Sequence, residues 1–138
     1  MSVRVERQGH VTTVVLDRPA RRNAVDRATA EALAEAFRAF DADDGARVGV
    51  LWGDHGTFCA GADLTGMRAD AGYADVHHAR GELAALFDEL WSLGKPTIAR
   101  VQGYCLAGGF GLALSCDLVV AADDATFGTP EIDVGLWP

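Results

Sequence analysis

Short apolar runs set among segments of helical period constrain this chain more than any other feature of its sequence. Val48 to Trp52, Thr97 to Val101 and Leu118 to Ala121 are each long enough for a buried strand and too short for a buried helix. Leu33, Phe37 and Phe40 recur at i, i+4 and i+7, and Leu83, Leu86, Phe87 and Leu90 fit the i, i+3, i+4, i+7 template of a helix with one apolar face. Asp26 stands at the N-cap position of the first helix, which is expected to end before Asp43-Asp44-Gly45. Gly94-Lys95-Pro96 stops the second. Strands alternating with helices predict an α/β fold with crossover connections.

Upstream, β-branched residues in Val3 to Glu6 and Val11 to Leu16 flank Gln8-Gly9-His10, which predicts an antiparallel hairpin. With 138 residues, 49% of them hydrophobic, and no repeat or low-complexity linker, the chain is read as one domain with one core. Its formal net charge of -8 argues against a nucleic-acid surface, which needs clustered Lys and Arg. No apolar stretch is long enough for a membrane span, and MSVRVERQGH lacks the apolar run of a signal peptide, so the expected location is the cytoplasm. Cys59, Cys105 and Cys116 have no CxxC spacing and read as buried, reduced thiols. His77 and His78 are adjacent on the second helix, point in different directions and make a poor chelate, so no metal site is expected. Leu136-Trp137-Pro138 ends the chain without a polar tail, which is read as a cut within a longer fold.

Two loops that follow predicted strands carry small residues: Phe58-Cys59-Ala60-Gly61-Ala62-Asp63-Leu64, and Gln102 through Gly111. Small residues there let a ligand approach the backbone, and N–H groups unpaired at a helix start can donate to a negative oxygen. Taken alone, either loop is equally explained by tight packing. A dinucleotide fingerprint fails because Leu114 stands where its third glycine belongs, a P-loop lacks its lysine, and no GxSxG nucleophile elbow is present.

In order and spacing, Ala60-Gly-Ala-Asp63, the stretch from Gly103-Tyr104 to Gly108-Gly109, Cys116-Asp117 and Phe127-Gly-Thr-Pro-Glu131 resemble the signature regions of the enoyl-CoA hydratase/isomerase (crotonase) family. Arg18-Pro19 with Asn23-Ala24 is similar to that family's early CoA-contacting segment. The resemblance covers nearly the whole chain. It implies a crotonase-like (ClpP/crotonase) spiral of ββα units, an acyl-CoA-binding core over residues 1–138 without the C-terminal helical region that relatives use for trimer contacts and to complete the acyl pocket. It also implies an acyl-CoA thioester as substrate, a place in fatty acid metabolism, coenzyme A only as part of that substrate, no other cofactor, and a homotrimer or dimer of trimers at full length.

By the same resemblance, the backbone N–H groups of Ala62 and Gly108 are the oxyanion donors, and Gly109 is a substrate-binding position. Arg22, Asn23, Ala24, Ala60, Asp63 and Leu64 fall at CoA-contacting positions, and Arg18, Arg21 and Arg22 are the nearest cations for its phosphates. Family hydratases use two glutamates. One follows the second loop and is replaced here by Gly111; the other is matched by Glu131. Water addition needs a water held and deprotonated, which Gly111 cannot do, whereas one carboxylate can move a proton from one carbon to another. Asp117 and Asp133 are the candidate substitute acids; Asp117 is expected to be structural, and Asp133, two residues past Glu131, is expected to point its side chain elsewhere. The residues therefore favour isomerisation or another enolate reaction, although family naming would say hydratase. A second reading is a catalytically impaired relative that binds acyl-CoA or serves assembly.

Overall fold

The structure, a computed structural model, describes residues 1–66 and 72–136. The chain opens with β1 (Val3–Gln8) and β2 (Val11–Leu16), paired antiparallel with Val3 opposite Leu16 and Gln8 opposite Val11. Gly9 makes the intervening turn at φ +57°, a conformation suited to glycine. Helix α1 (Arg27–Ala42) starts where the Asp26 carboxylate accepts a hydrogen bond from the Thr29 amide at 2.8 Å, and it buries Leu33, Phe37 and Phe40. Then come β3 (Val48–Gly53), α2 (Tyr73–Trp91), β4 (Thr97–Val101), β5 (Tyr104–Leu106), α3 (Gly108–Ser115), β6 (Leu118–Ala121), β7 (Thr126–Gly128) and a 3-10 turn at Pro130–Val134.

The larger sheet has the order β1-β2-β3-β4-β6, parallel from β2 onward. On β2 the three consecutive residues Val14, Val15 and Leu16 are fully buried, so both faces of that strand are covered there. A small second sheet pairs β5 with β7 in parallel. Cys59 joins it through an isolated bridge to Cys105, and Val25 bridges Ala62 in the same way. Strand of the large sheet, short strand of the small sheet, helix: this step recurs along the chain and winds it into a spiral of ββα units. Each turn brings a loop to the small sheet.

The expected hairpin, both amphipathic helices and the longer strands form as read. β5 and β7 were not foreseen, being three residues each and lacking a period of their own. Asp117 is structural, its carboxylate accepting from the Thr97 amide at 2.8 Å. Burial leaves the three free thiols protonated, pushing Cys59 and Cys105 up to about 12 and Cys116 to about 11. His77 and His78 fall in the part of α2 whose side chains lie outside the described set, and Trp137 lies outside the described residues. Among the described residues no helix is long and apolar enough to cross a membrane. Several apolar residues stand in the open: Leu118 is 60%, Val120 62% and Ile132 79% exposed.

Candidate active site

A cavity of about 680 Å³ opens where the loops after β3 and β5 meet the last 3-10 turn. Ala60, Ala62, Leu64, Gly108 and Glu131 all line it. So do Gly111 and Asp133, together with a wall from α2 made of Leu83, Ala84 and Phe87.

Ala62 follows a glycine at φ +107°, a region closed to most side chains, which turns the chain back at Val25. Val25 donates to Gly61 O at 2.8 Å and accepts from Asp63 N at 2.8 Å, leaving the intervening Ala62 N–H out of the ladder. Gly108 begins α3, where helical geometry provides no acceptor for the first amides. Among the described residues neither amide donates to any acceptor. They also lie close together. A Cβ built on Gly61 would sit 3.3 Å from Gly108 N, and one built on Gly108 would sit 3.6 Å from Ala62 N. Two undonated N–H groups thus lie close together beside a largely apolar cavity, one at a helix N-terminus, an arrangement that can stabilise developing negative charge.

The small sheet sets this convergence. Cys59 N–H donates to Tyr104 O at 3.1 Å and Leu106 N–H to Cys59 O at 3.0 Å, locking the two loops in register. Gly109 allows the fit, because a Cβ there would lie 2.4 Å from Cys59 O. Its place is in this packing; it does not line the cavity. Ala107, just before the donor, sits at φ 53°, ψ -123°, which is unfavourable for any residue with a side chain.

Glu131 reaches the cavity because β7 is tied to α3: Ala107 N–H donates to Gly128 O at 2.9 Å, and the Phe127 ring packs against Phe110 at a tilt of 57° with centroids 5.4 Å apart. The glutamate Oε2 is buried and has no hydrogen-bond partner among the described residues. A carboxylate oxygen left this way carries a desolvation cost that a structural carboxylate avoids.

The remaining predicted residues stand outside the cavity. Asn23 is buried and its amide is spent internally: Oδ1 accepts from Arg18 N at 2.8 Å, and Nδ2 donates to Asp54 O and Thr57 O at 2.8 and 2.7 Å. It braces the Arg18–Ala24 loop against the one after β3. Arg18, grouped with the phosphate-binding cations in the sequence reading, is committed elsewhere. Its guanidinium pairs with Asp26 at 3.0 Å and Asp63 at 3.1 Å and donates to Ala24 O. Arg21 and Arg22 are exposed. Asp63 also accepts from Thr65 N at 3.0 Å and Thr65 Oγ1 at 2.6 Å; those bonds, then Arg18, hold its carboxyl below the usual range. The pairing of Arg18 with Asp63 and of Asn23 with Asp54 and Thr57 was hidden from sequence reasoning because those partners come from separate turns of the spiral.

Comparison with known proteins agrees with this architecture. The enoyl-CoA hydratase/isomerase family profile matches residues 6–138. The chain is 38% identical over 138 residues to a carnitinyl-CoA dehydratase of Proteus mirabilis, covering 99% of this chain and 52% of that protein. It is 41% identical over 134 residues to a 2,3-dehydroadipyl-CoA hydratase of Escherichia coli, covering 97% and 51%. Among solved structures, an enoyl-CoA hydratase/carnithine racemase from Magnetospirillum magneticum superposes with a TM-score of 0.93 at 29% identity, over 100% of this chain and 52% of that one. A putative enoyl-CoA hydratase/isomerase (crotonase) from Legionella pneumophila gives 0.90 at 32%, over 98% and 53%. The chain spans about half the length of the curated relatives it matches. On its own sequence and fold, the chain belongs to the enoyl-CoA hydratase/isomerase family and carries the crotonase fold.

Proposed function

We propose that the complete protein is an acyl-CoA enzyme that stabilises a thioester enolate and moves a proton with one carboxylate, as an enoyl-CoA isomerase does. The observation that carries this reading is the undonated amide pair of Ala62 and Gly108 sharing a cavity with the unpartnered Glu131 oxygen. With a 3-enoyl thioester, the Glu131 carboxylate takes a proton from the α-carbon, and the C–H electron pair moves into the carbonyl, placing negative charge on oxygen. The two amides stabilise that charge. As the carbonyl re-forms, the double bond shifts to the 2-position and the protonated Glu131 returns its proton to the γ-carbon. Nothing is added or lost overall, so the second carboxylate is not needed.

Gly111 at the position of the other glutamate supports isomerisation over water addition, although the relatives named above are a dehydratase and a hydratase. Exposed Arg21 and Arg22 serve the CoA phosphates, while Arg18, Asn23 and Asp63 hold the loop that presents Ala24 and Ala60. The cytoplasm is the proposed location, and the exposed apolar surface of β6 supports assembly as a homotrimer or dimer of trimers. Incubating the complete protein with 3-enoyl- and 2-enoyl-CoA, and following absorbance of the conjugated thioester and α-deuterium uptake from D2O by mass, tests the reading. Conversion with α-exchange supports it. Tight binding with neither conversion nor exchange would favour an acyl-CoA-binding relative that has lost turnover.

A further inference from the structure

The space beside Gly111 is filled. A Cβ built at this position would lie 2.6 Å from Phe87 Cζ and 2.9 Å from Cε2, so the end of the phenyl ring rests where any side chain of residue 111 would begin. One turn earlier on α2, Leu83 stands in the same relation to Gly108, its Cδ1 at 3.0 Å from a Cβ built there. Leu83 and Phe87 are i and i+4 on α2, and Gly108 and Gly111 are i and i+3 on α3. The apolar ridge of one helix therefore lies on the bare backbone of the other. Both side chains also line the cavity and pack against the core.

We infer that Phe87 is a specificity-determining residue: its ring, seated on Gly111, occupies the place of a hydrating water and of a 3-hydroxyl group, so the site takes acyl-CoA thioesters whose β-carbon is apolar. The inference rests on the enolate reading above and adds to it. Removal of a carboxylate alone would leave a hole that water could enter; here the hole is closed by aromatic surface. A bound water needs two to four polar partners; α2 and α3 offer the cavity only the apolar side chains of Leu83, Ala84, Phe87, Phe110 and Leu114, and its polar side chains, Thr129, Glu131 and Asp133, all come from the segment after β7. An enolate formed beneath such a wall is reprotonated from Glu131. A thioester carrying a hydroxyl at the β-carbon meets the ring and leaves that hydroxyl unpaired.

The test uses the complete protein with hexanoyl-CoA and 3-hydroxyhexanoyl-CoA as calorimetric probes, and water addition to 2-hexenoyl-CoA as the rate. The parent is expected to bind hexanoyl-CoA about tenfold more tightly than the hydroxy compound or better. Phe87→Ala should bring the two affinities together. Phe87→Leu keeps apolar packing on α3 while withdrawing the ring end, and should narrow the gap too. Gly111→Glu alone should hydrate poorly because its side chain meets the ring, whereas Phe87→Ala with Gly111→Glu should exceed either single variant by about a hundredfold. Equal affinities in the parent, or a single Gly111→Glu variant that hydrates as fast as the double one, would overturn the inference while leaving the enolate reading standing. Failure of the parent to bind either thioester would overturn both.

Discussion

Replacing Gly108 with valine tests the donor pair directly. The added Cβ would sit 3.6 Å from Ala62 N and 3.7 Å from Gly61 Cα, on the side of the backbone that faces the other donor. A thioester oxygen must come within about 2.7–3.1 Å of both amides to be stabilised, and the valine methyl groups extend further into that space. The carbonyl is displaced from at least one amide, which costs about 2.7–4 kcal/mol of transition-state stabilisation, or roughly a 100- to 1,000-fold loss in kcat. The fold should bear the change. The tightest new contact is with Leu83 Cδ1 at 3.0 Å, the far end of a flexible side chain, and Gly108 sits outside the left-handed region. A stability loss of about 1–3 kcal/mol is expected from overpacking, measured by urea unfolding. Turnover of 3-enoyl-CoA, followed by absorbance in a variant shown to be folded, decides the matter. A rate within about tenfold of the parent would refute the assignment of Gly108 N–H as a donor.

Glu131→Gln keeps the shape but removes the base; isomerisation should fall by about 100-fold or more while acyl-CoA affinity changes little, as rate and calorimetric titration will show. Ala107→Gly relieves a backbone conformation costing about 1–3 kcal/mol, against about 0.5–1 kcal/mol of added chain entropy, so the urea midpoint should hold or rise. Asp26 and Asp63 both have carboxyls held below their ordinary value, by Thr29 and Thr65 first and then Arg18; their contribution is complete above the unfolded carboxylate value near about 4 and is lost as pH falls through the lower folded values. Urea midpoints should thus drop on acidification below about pH 4, and Asp63→Asn should flatten that drop. The 138-residue chain expressed alone, with Leu118, Val120 and Ile132 in water, should self-associate in light scattering, and a monodisperse monomer would contradict this.

Local, periodic signals survived the passage from sequence to structure. Asp26 caps α1, and Leu33, Phe37 and Phe40 form its buried stripe, because each depends on neighbours within a turn or two. The resemblance directed attention to Ala62, Gly108 and Glu131, and folding brings all three to one cavity. Relations between turns of the spiral were illegible. Nothing near Gly111 in sequence announces the Phe87 ring, nothing near Arg18 announces Asp63, and a buried Asn23 reads like any loop asparagine until the carbonyls of Asp54 and Thr57 are placed beside it. β5 and β7 were too short to show alternation, and only their pairing makes them strands. The strained Ala107 could be inferred only from backbone angles.

Cys59 gives the donor loops a molecular clock. Its thiol is wholly buried and pushed up to about 12, so it is inert while its two backbone hydrogen bonds, donated to Tyr104 O and accepted from Leu106 N–H, hold. The bridge belongs to the small sheet, so a local opening that parts the loops and exposes the sulfur is expected to leave the separate five-stranded sheet in place. A molecule in that state would count as folded by global probes and yet, on the proposed function, be unable to polarise a thioester. The rate at which Cys59 reacts with an alkylating reagent therefore reports how often the site comes apart, and its slowing by bound acyl-CoA reports how much of the ligand's binding energy goes into holding two loops together.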